Sequence, residues 1–143
     1  MGKRIQFWYW LAVLGLLAAC ASTTGGGDPL AGSAWQLESI DGTAIPAEVN
    51  ITIAFANGQV NGNGGCNSYG GNYQVQSSAI TFDQVMMTAM ACMGPEGDIE
   101  VTYMQAFGQI KNFTLSTGSD GRDQLELQDD SMVTRLLFTR ATP

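Results

Sequence analysis

The chain contains no histidine among its 143 residues. That removes the imidazole on which most nucleophilic sites depend to activate a Ser or Cys. A zinc reading suffers too, because three cysteines cannot complete a tetrahedral site by themselves. Positive charge is scarce: six Lys and Arg stand against 13 Asp and Glu. Such an acidic balance argues against nucleic acid as a partner and against electrostatic docking on anionic lipid. Only one long apolar run exists. It extends from Ile5 to Ala19, and its 15 residues fall short of the ~20 that a spanning helix needs.

That run reads instead as an address. Lys3 and Arg4 precede it, and Leu17-Ala18-Ala19-Cys20 closes it. A basic start, a short apolar core and small residues before a cleavage point describe a secretory signal peptide. The competing reading is a membrane anchor, to which Phe7-Trp8-Tyr9-Trp10 lends some support. The Leu-Ala-Ala-Cys ending resembles the bacterial lipobox, which implies cleavage before Cys20 and lipidation of that residue. Residues 1–19 are then the signal peptide and 20–32 a lipidated Cys with a flexible tether rich in Ser, Thr, Gly, Asp and Pro. Residues 33–140 form the globular domain. Cleavage leaves four basic residues, Lys111, Arg122, Arg135 and Arg140, against 13 acidic ones, a formal charge of −9. Membrane contact should therefore come through lipid on Cys20. The three acyl chains that the lipobox implies exceed the two signals needed for stable anchoring.

With Cys20 lipidated, Cys66 and Cys92 remain, an even pair in a compartment that permits disulfides. A bridge closing the loop between them would stabilise the fold by ~3.5 kcal/mol in the chain-entropy model. Two buried thiols or a metal pair are the other readings, and the metal pair lacks further ligands. Cys66 lies within Gly62-Asn63-Gly64-Gly65-Cys66-Asn67-Ser68-Tyr69-Gly70-Gly71, in which seven of ten residues are Gly or Asn. Those types tolerate positive φ. The stretch reads as a tight backbone corner, clamped through Cys66 to the segment before a helix.

Period-2 alternation dominates from residue 33 onwards. Trp35 and Leu37 share one face, and Val49, Ile51, Ile53 and Phe55 share another. Asn57-Gly58 follows, a hairpin signal because a type I′ turn needs positive φ at both central residues. Tyr73 and Val75, then Ile80 and Phe82, continue the pattern across a Ser77-Ser78 turn. From Glu96 to Ile110 the spacing changes: Ile99, Tyr103, Phe107 and Ile110 lie on one helical face. Gly94-Pro95 precedes this helix, and Glu96, Asp98 and Glu100 sit near its start, where the dipole favours negative charge. Strands resume with Phe113 and Leu115, then Leu125 and Leu127. A last strand follows in which Met132, Thr134, Leu136 and Phe138 share a face. The expected fold is mainly β with one covering helix, a small antiparallel curled sheet or barrel of about eight strands.

Other candidate chemistry reduces to simpler readings. Asp129 and Asp130 pair two carboxylates, but at a turn, where Asp serves local backbone hydrogen bonds. The Asp120-Gly121-Arg122-Asp123 loop lacks the spacing and terminal Glu of an EF-hand. Ser68 has no Lys nearby, since Lys111 is the only one after Lys3. Met86, Met87, Met90 and Met93 cluster around Cys92 and read as core filler at the barrel edge, with a binding mouth or a soft Cu(I) site as alternatives. No catalytic residue, cofactor or metal is expected.

Several of these stretches together resemble the META domain of HslJ-type heat-shock envelope lipoproteins. They are Trp35-Gln36-Leu37, Ile51 to Phe55, Gly65-Cys66-Asn67 with Gly70 and Tyr73, Thr88 with Met90-Ala91-Cys92, Glu100 and Tyr103, Leu125 to Leu127, and Leu136 to Phe138. The sequence departs at Ala89, where many relatives carry a basic residue. The resemblance implies a lipocalin-like small barrel in the bacterial envelope, associated with stress and drug tolerance, and no family-wide reaction. The expected protein is non-enzymatic, lipid-anchored at the outer membrane facing the periplasm, and acts through an envelope protein partner. The alternative is a carrier that holds a small apolar ligand or acyl chain inside the barrel.

Overall fold

The computed structural model describes residues 27–141. The expected signal peptide, Cys20 and most of the tether lie outside them. Nine antiparallel strands and one helix make up the described fold. The alternation is clearest in β1 and β3, which bury every second residue over most of their length. In β1 (Ser33–Ile40) Trp35 and Leu37 point inward while Ala34 and Gln36 face solvent.

Turn chemistry sets the path between strands. β1 folds back into the two-residue β2 (Thr43–Ala44) over Asp41-Gly42, with φ of 48° and 77°. This hairpin was not expected from alternation, because its second arm is too short to show any. β3 (Thr52–Ala56) and β4 (Gln59–Asn63) meet over Asn57-Gly58, with φ of 52° and 75°, the turn that the Asn-Gly pair predicts. β5 (Ser68–Gln76) and β6 (Ala79–Met87) join at Ser77, with φ of 58°. The helix α1 (Pro95–Phe107) follows, and then β7 (Asn112–Thr117), β8 (Asp123–Gln128) and β9 (Thr134–Arg140).

Each strand from β3 to β9 pairs with the next in sequence, and β9 returns to β1. The sheet is therefore ring-like. Its weak seam lies between β6 and β7, which pair at one position, Ala79 with Asn112. Beyond that position the helix takes over: Phe107 stacks on Phe82 with ring centroids 4.4 Å apart. The interior is filled by side chains. Trp35, Phe55, Leu125, Leu127, Leu136 and Phe138 are almost wholly buried, and α1 lays Tyr103, Ala106 and Phe107 onto them.

Four expectations change in detail. The tether ends earlier than its composition indicates, because Leu30 is fully buried and the Tyr73 hydroxyl donates to the Asp28 carboxylate. A short turn, Leu30 N to Asp28 Oδ1 at 2.9 Å and Ser33 N to Leu30 O at 3.0 Å, holds this segment on the core. The helix stops at Phe107, so the buried Ile110 belongs to the link into β7. Met132 does not share the buried face of the last strand: it is exposed, with φ of 62°, in the turn that precedes β9. Finally, the glycine stretch is a corner only from Gly64 to Asn67, since its two ends belong to β4 and β5.

Candidate functional site

The turn between β4 and β5 is held from one side by the helix and from the other by the segment after β6. Glu100 lies on the buried face of α1, three positions before Tyr103 on the same stripe. Its Oε2 accepts the backbone N–H of Cys66 at 3.1 Å and of Asn67 at 2.5 Å. Its Oε1 accepts Asn67 Nδ2 at 2.7 Å. Burial alone would push this carboxyl up, but these three donors outweigh it and hold Glu100 below the usual Glu range.

Asn67 is satisfied on its other side as well. Its Oδ1 accepts from the Met90 N–H at 2.7 Å and from the Thr88 hydroxyl at 2.9 Å. The Thr88 oxygen in turn accepts the Ser68 N–H at 3.2 Å. One buried amide thus ties the loop, the helix and the segment following β6 into a single unit.

The Cys66–Cys92 disulfide closes the same unit, with Cα atoms 6.2 Å apart. Gly65 permits the close approach, having φ of 123°, and a Cβ there would stand 3.0 Å from the Glu96 carbonyl oxygen. Next to it a tyrosine pair crosses from β5 to the helix. Tyr69 donates to the Thr52 carbonyl at 2.9 Å, so the 2.7 Å contact between the two hydroxyls is donated by Tyr103. Burial drives both phenols well above their ordinary range. Gly62 makes room for this pair, since a Cβ there would lie 2.7 Å from the Tyr69 hydroxyl.

Gly65, Cys66, Asn67, Thr88, Met90 and Cys92 are therefore brought together. Ala91 is exposed, and nothing in the structure assigns it a role. Glu100 is the residue that sequence reasoning misjudged. Expected only as one of the acids near the helix start, it is the anchor of the node. The signal was its spacing: an acid on an apolar stripe must find partners when buried.

The arrangement holds no activated nucleophile. Both thiols are spent in the disulfide, and every polar atom of Asn67 and Glu100 is engaged within the protein. Asp129 also serves a turn, its Oδ1 accepting the N–H groups of Ser131 at 2.9 Å and Val133 at 3.0 Å, while Arg135 Nε lies 2.9 Å from Oδ2. Asp120 does the same for Arg122 in the β7–β8 loop.

A match to the META domain model covers residues 28–142. The chain belongs to the META domain family. The match begins at Asp28, whose carboxylate accepts from the Tyr73 hydroxyl. Among solved structures, this META domain is similar to the NMR structure of a protein from Burkholderia xenovorans. The two share 30% identity over 80% of this chain and 85% of that one, with a TM-score of 0.65. A second NMR structure shares the fold at 19% identity, covering 78% of this chain and 90% of that one, with a TM-score of 0.56. No curated protein matches the chain.

The methionines of this META domain correct one expectation. They are not core filler. Met86 is 77% exposed, Met87 41%, Met90 60% and Met93 97%. Met86 and Met87 end β6, and Met90 and Met93 lie on the segment that Asn67 and the disulfide hold in place.

Proposed function

We propose that this META domain is a lipid-anchored envelope protein that acts through surface contacts in envelope stress or drug tolerance, and not by catalysis. The exposure of Met86, Met87, Met90 and Met93 carries this reading. Thioether side chains adapt to varied apolar partners, and large apolar groups exposed together mark interaction sites. Here the backbone beneath them is fixed by the Met90 N–H bond to Asn67 and by Cys92. The signal ending in Leu17-Ala18-Ala19-Cys20 supports anchoring by lipid.

The carrier reading has less support, because Trp35, Phe55, Tyr103 and Phe138 occupy the space a ligand would need. Two experiments test the proposal. Replacing Cys20 with Ala should release the protein from membranes, and unchanged membrane retention would defeat the anchoring. Deleting the gene should lower tolerance of heat or envelope-active drugs, and so should Met86→Ser with Met93→Ser. Wild-type tolerance under every challenge would defeat the functional reading.

A further inference from the structure

We propose that the outer face of β4, β5 and β6 is a binding groove for an uncharged saccharide. The face is concave, and its polar walls are the amides of Gln59, Asn61, Asn72 and Gln84 with the Ser68 hydroxyl. No Asp, Glu, Lys or Arg side chain lines it, although the chain carries 13 acidic residues. Amides and hydroxyls both donate and accept, which is the pattern that sugar hydroxyls answer. A charged ligand would find no counter-charge here. An apolar one would cover the amides without replacing their hydrogen bonds to water.

Two residues are spent in ways that packing does not require. Gly71 is needed by the fold, because a Cβ there would meet the Asp83 carbonyl and the Val85 Cα at 2.9 Å. Gly70 is not. Its φ lies outside the left-handed region, and its added Cβ would make ordinary contact at 3.6 Å with the Val60 carbonyl. Its bare backbone instead leaves the groove floor open to a flat ring.

Gln84 is the second case. β6 carries an extra residue between the pairs Gly70–Met86 and Asn72–Asp83, and Gln84 occupies this bulge with φ of 52°. That conformation is unfavourable for a long side chain and suits Gly or Asn better. Bulges re-aim side chains, and this one sets the Gln84 amide beside Asn72, whose Nδ2 donates to Oε1 at 3.3 Å. Met86 and Met87 complete the wall with apolar surface for the C–H face of a pyranose. The groove shares Met86 and Met87 with the partner-contact reading, but that reading also uses Met90 and Met93, which lie outside the groove lining, and needs no sugar.

The test uses the full chain, labelled with nitrogen-15, in zwitterionic detergent micelles. Chitotetraose and maltotetraose are the neutral probes, and an oligogalacturonate is the charged control. Shifts at the Gly70 and Gly71 backbone amides and at the Asn61, Asn72 and Gln84 side-chain amides, produced by either neutral probe, support the groove. The probe that binds tells whether amino-sugar or plain hexose polymers are its source.

Gln84→Gly should keep or raise the melting temperature, since it relieves the bulge, while weakening binding about tenfold. Gly70→Val should block binding with the fold retained. Silence from both neutral probes, an equal response to oligogalacturonate, or wild-type binding by Gln84→Gly would overturn the proposal.

Discussion

Asn67 and Glu100, 33 positions apart, bind each other twice: Glu100 Oε2 takes the Asn67 backbone N–H, and Oε1 takes the Asn67 side-chain amide. The pair is planar against planar, and each partner also reaches a third segment. The carboxylate reaches Cys66, and the amide oxygen reaches Thr88 and Met90. A node of this kind is worth more than its separate bonds, because deleting one member strands several buried groups.

Asn67→Ala should destabilise the domain by about 2–4 kcal/mol in chemical denaturation, since the Met90 N–H and Glu100 Oε1 both lose their partner. Asn67→Asp should cost more than Ala. It loses the donor to Oε1 and sets a second negative charge against Glu100. A loss below that of an ordinary surface substitution would show that the node bears no stability.

Glu100 predicts an acid limb. Its folded carboxyl is held below the usual range, so the unfolded state binds the proton more readily. The stabilisation is therefore complete above the unfolded value of about 4.3 and is lost as pH falls through the lower folded value. Denaturant midpoints measured from neutral pH downward should drop in that window for the natural protein. Glu100→Gln should flatten the drop while lowering stability at neutral pH. An equally steep acid limb in Glu100→Gln would place the sensitive carboxylate elsewhere.

Reducing the disulfide, or replacing Cys66 with Ser, should lower stability by about 3.5 kcal/mol, with the exposed methionine segment loosening first. Hydrogen exchange should report faster opening at Met90 than at the β8–β9 pairing. Alkylating reagents should label Cys92 in the Cys66→Ser protein and neither cysteine in the natural one. Labelling of both without a reductant would contradict the bridge.

The two tyrosines should differ in a defined order. Tyr103→Phe removes one donor and leaves Tyr69 bonded to Thr52, a loss of about 1 kcal/mol. Tyr69→Phe strands both the Thr52 carbonyl and the Tyr103 hydroxyl, a loss of about 2–3 kcal/mol. Equal losses would mean that the donor order along Tyr103, Tyr69 and Thr52 is not the one described.

Much of this architecture is written in local pattern. Alternation alone places Trp35, Leu37, Ile53, Phe55, Leu125, Leu127, Leu136 and Phe138 inside, and all eight are buried. The Asn57-Gly58 pair marks its own hairpin, and the change of period after Pro95 marks the helix. These signals are legible because side-chain period and turn geometry depend only on neighbouring residues. Glu100 was legible in position but not in purpose. Its place on the stripe with Tyr103 is a local fact, whereas the N–H groups it serves come from a loop more than 30 positions earlier.

The sequence by itself determined which residues could pair as strands and where the chain could turn, and it offered a Cys66–Cys92 bridge as one of the readings that the structure then decided. Tertiary structure decided the rest. It returned β9 to β1 and left β6 and β7 joined at one position. It drew Asp28 and Leu30 onto the core and turned four methionines outward. The physical reason is common to all of these. Each depends on which distant surfaces meet after the ring closes, and an apolar residue such as Met93 or Leu30 has no local signal for whether a neighbour will cover it.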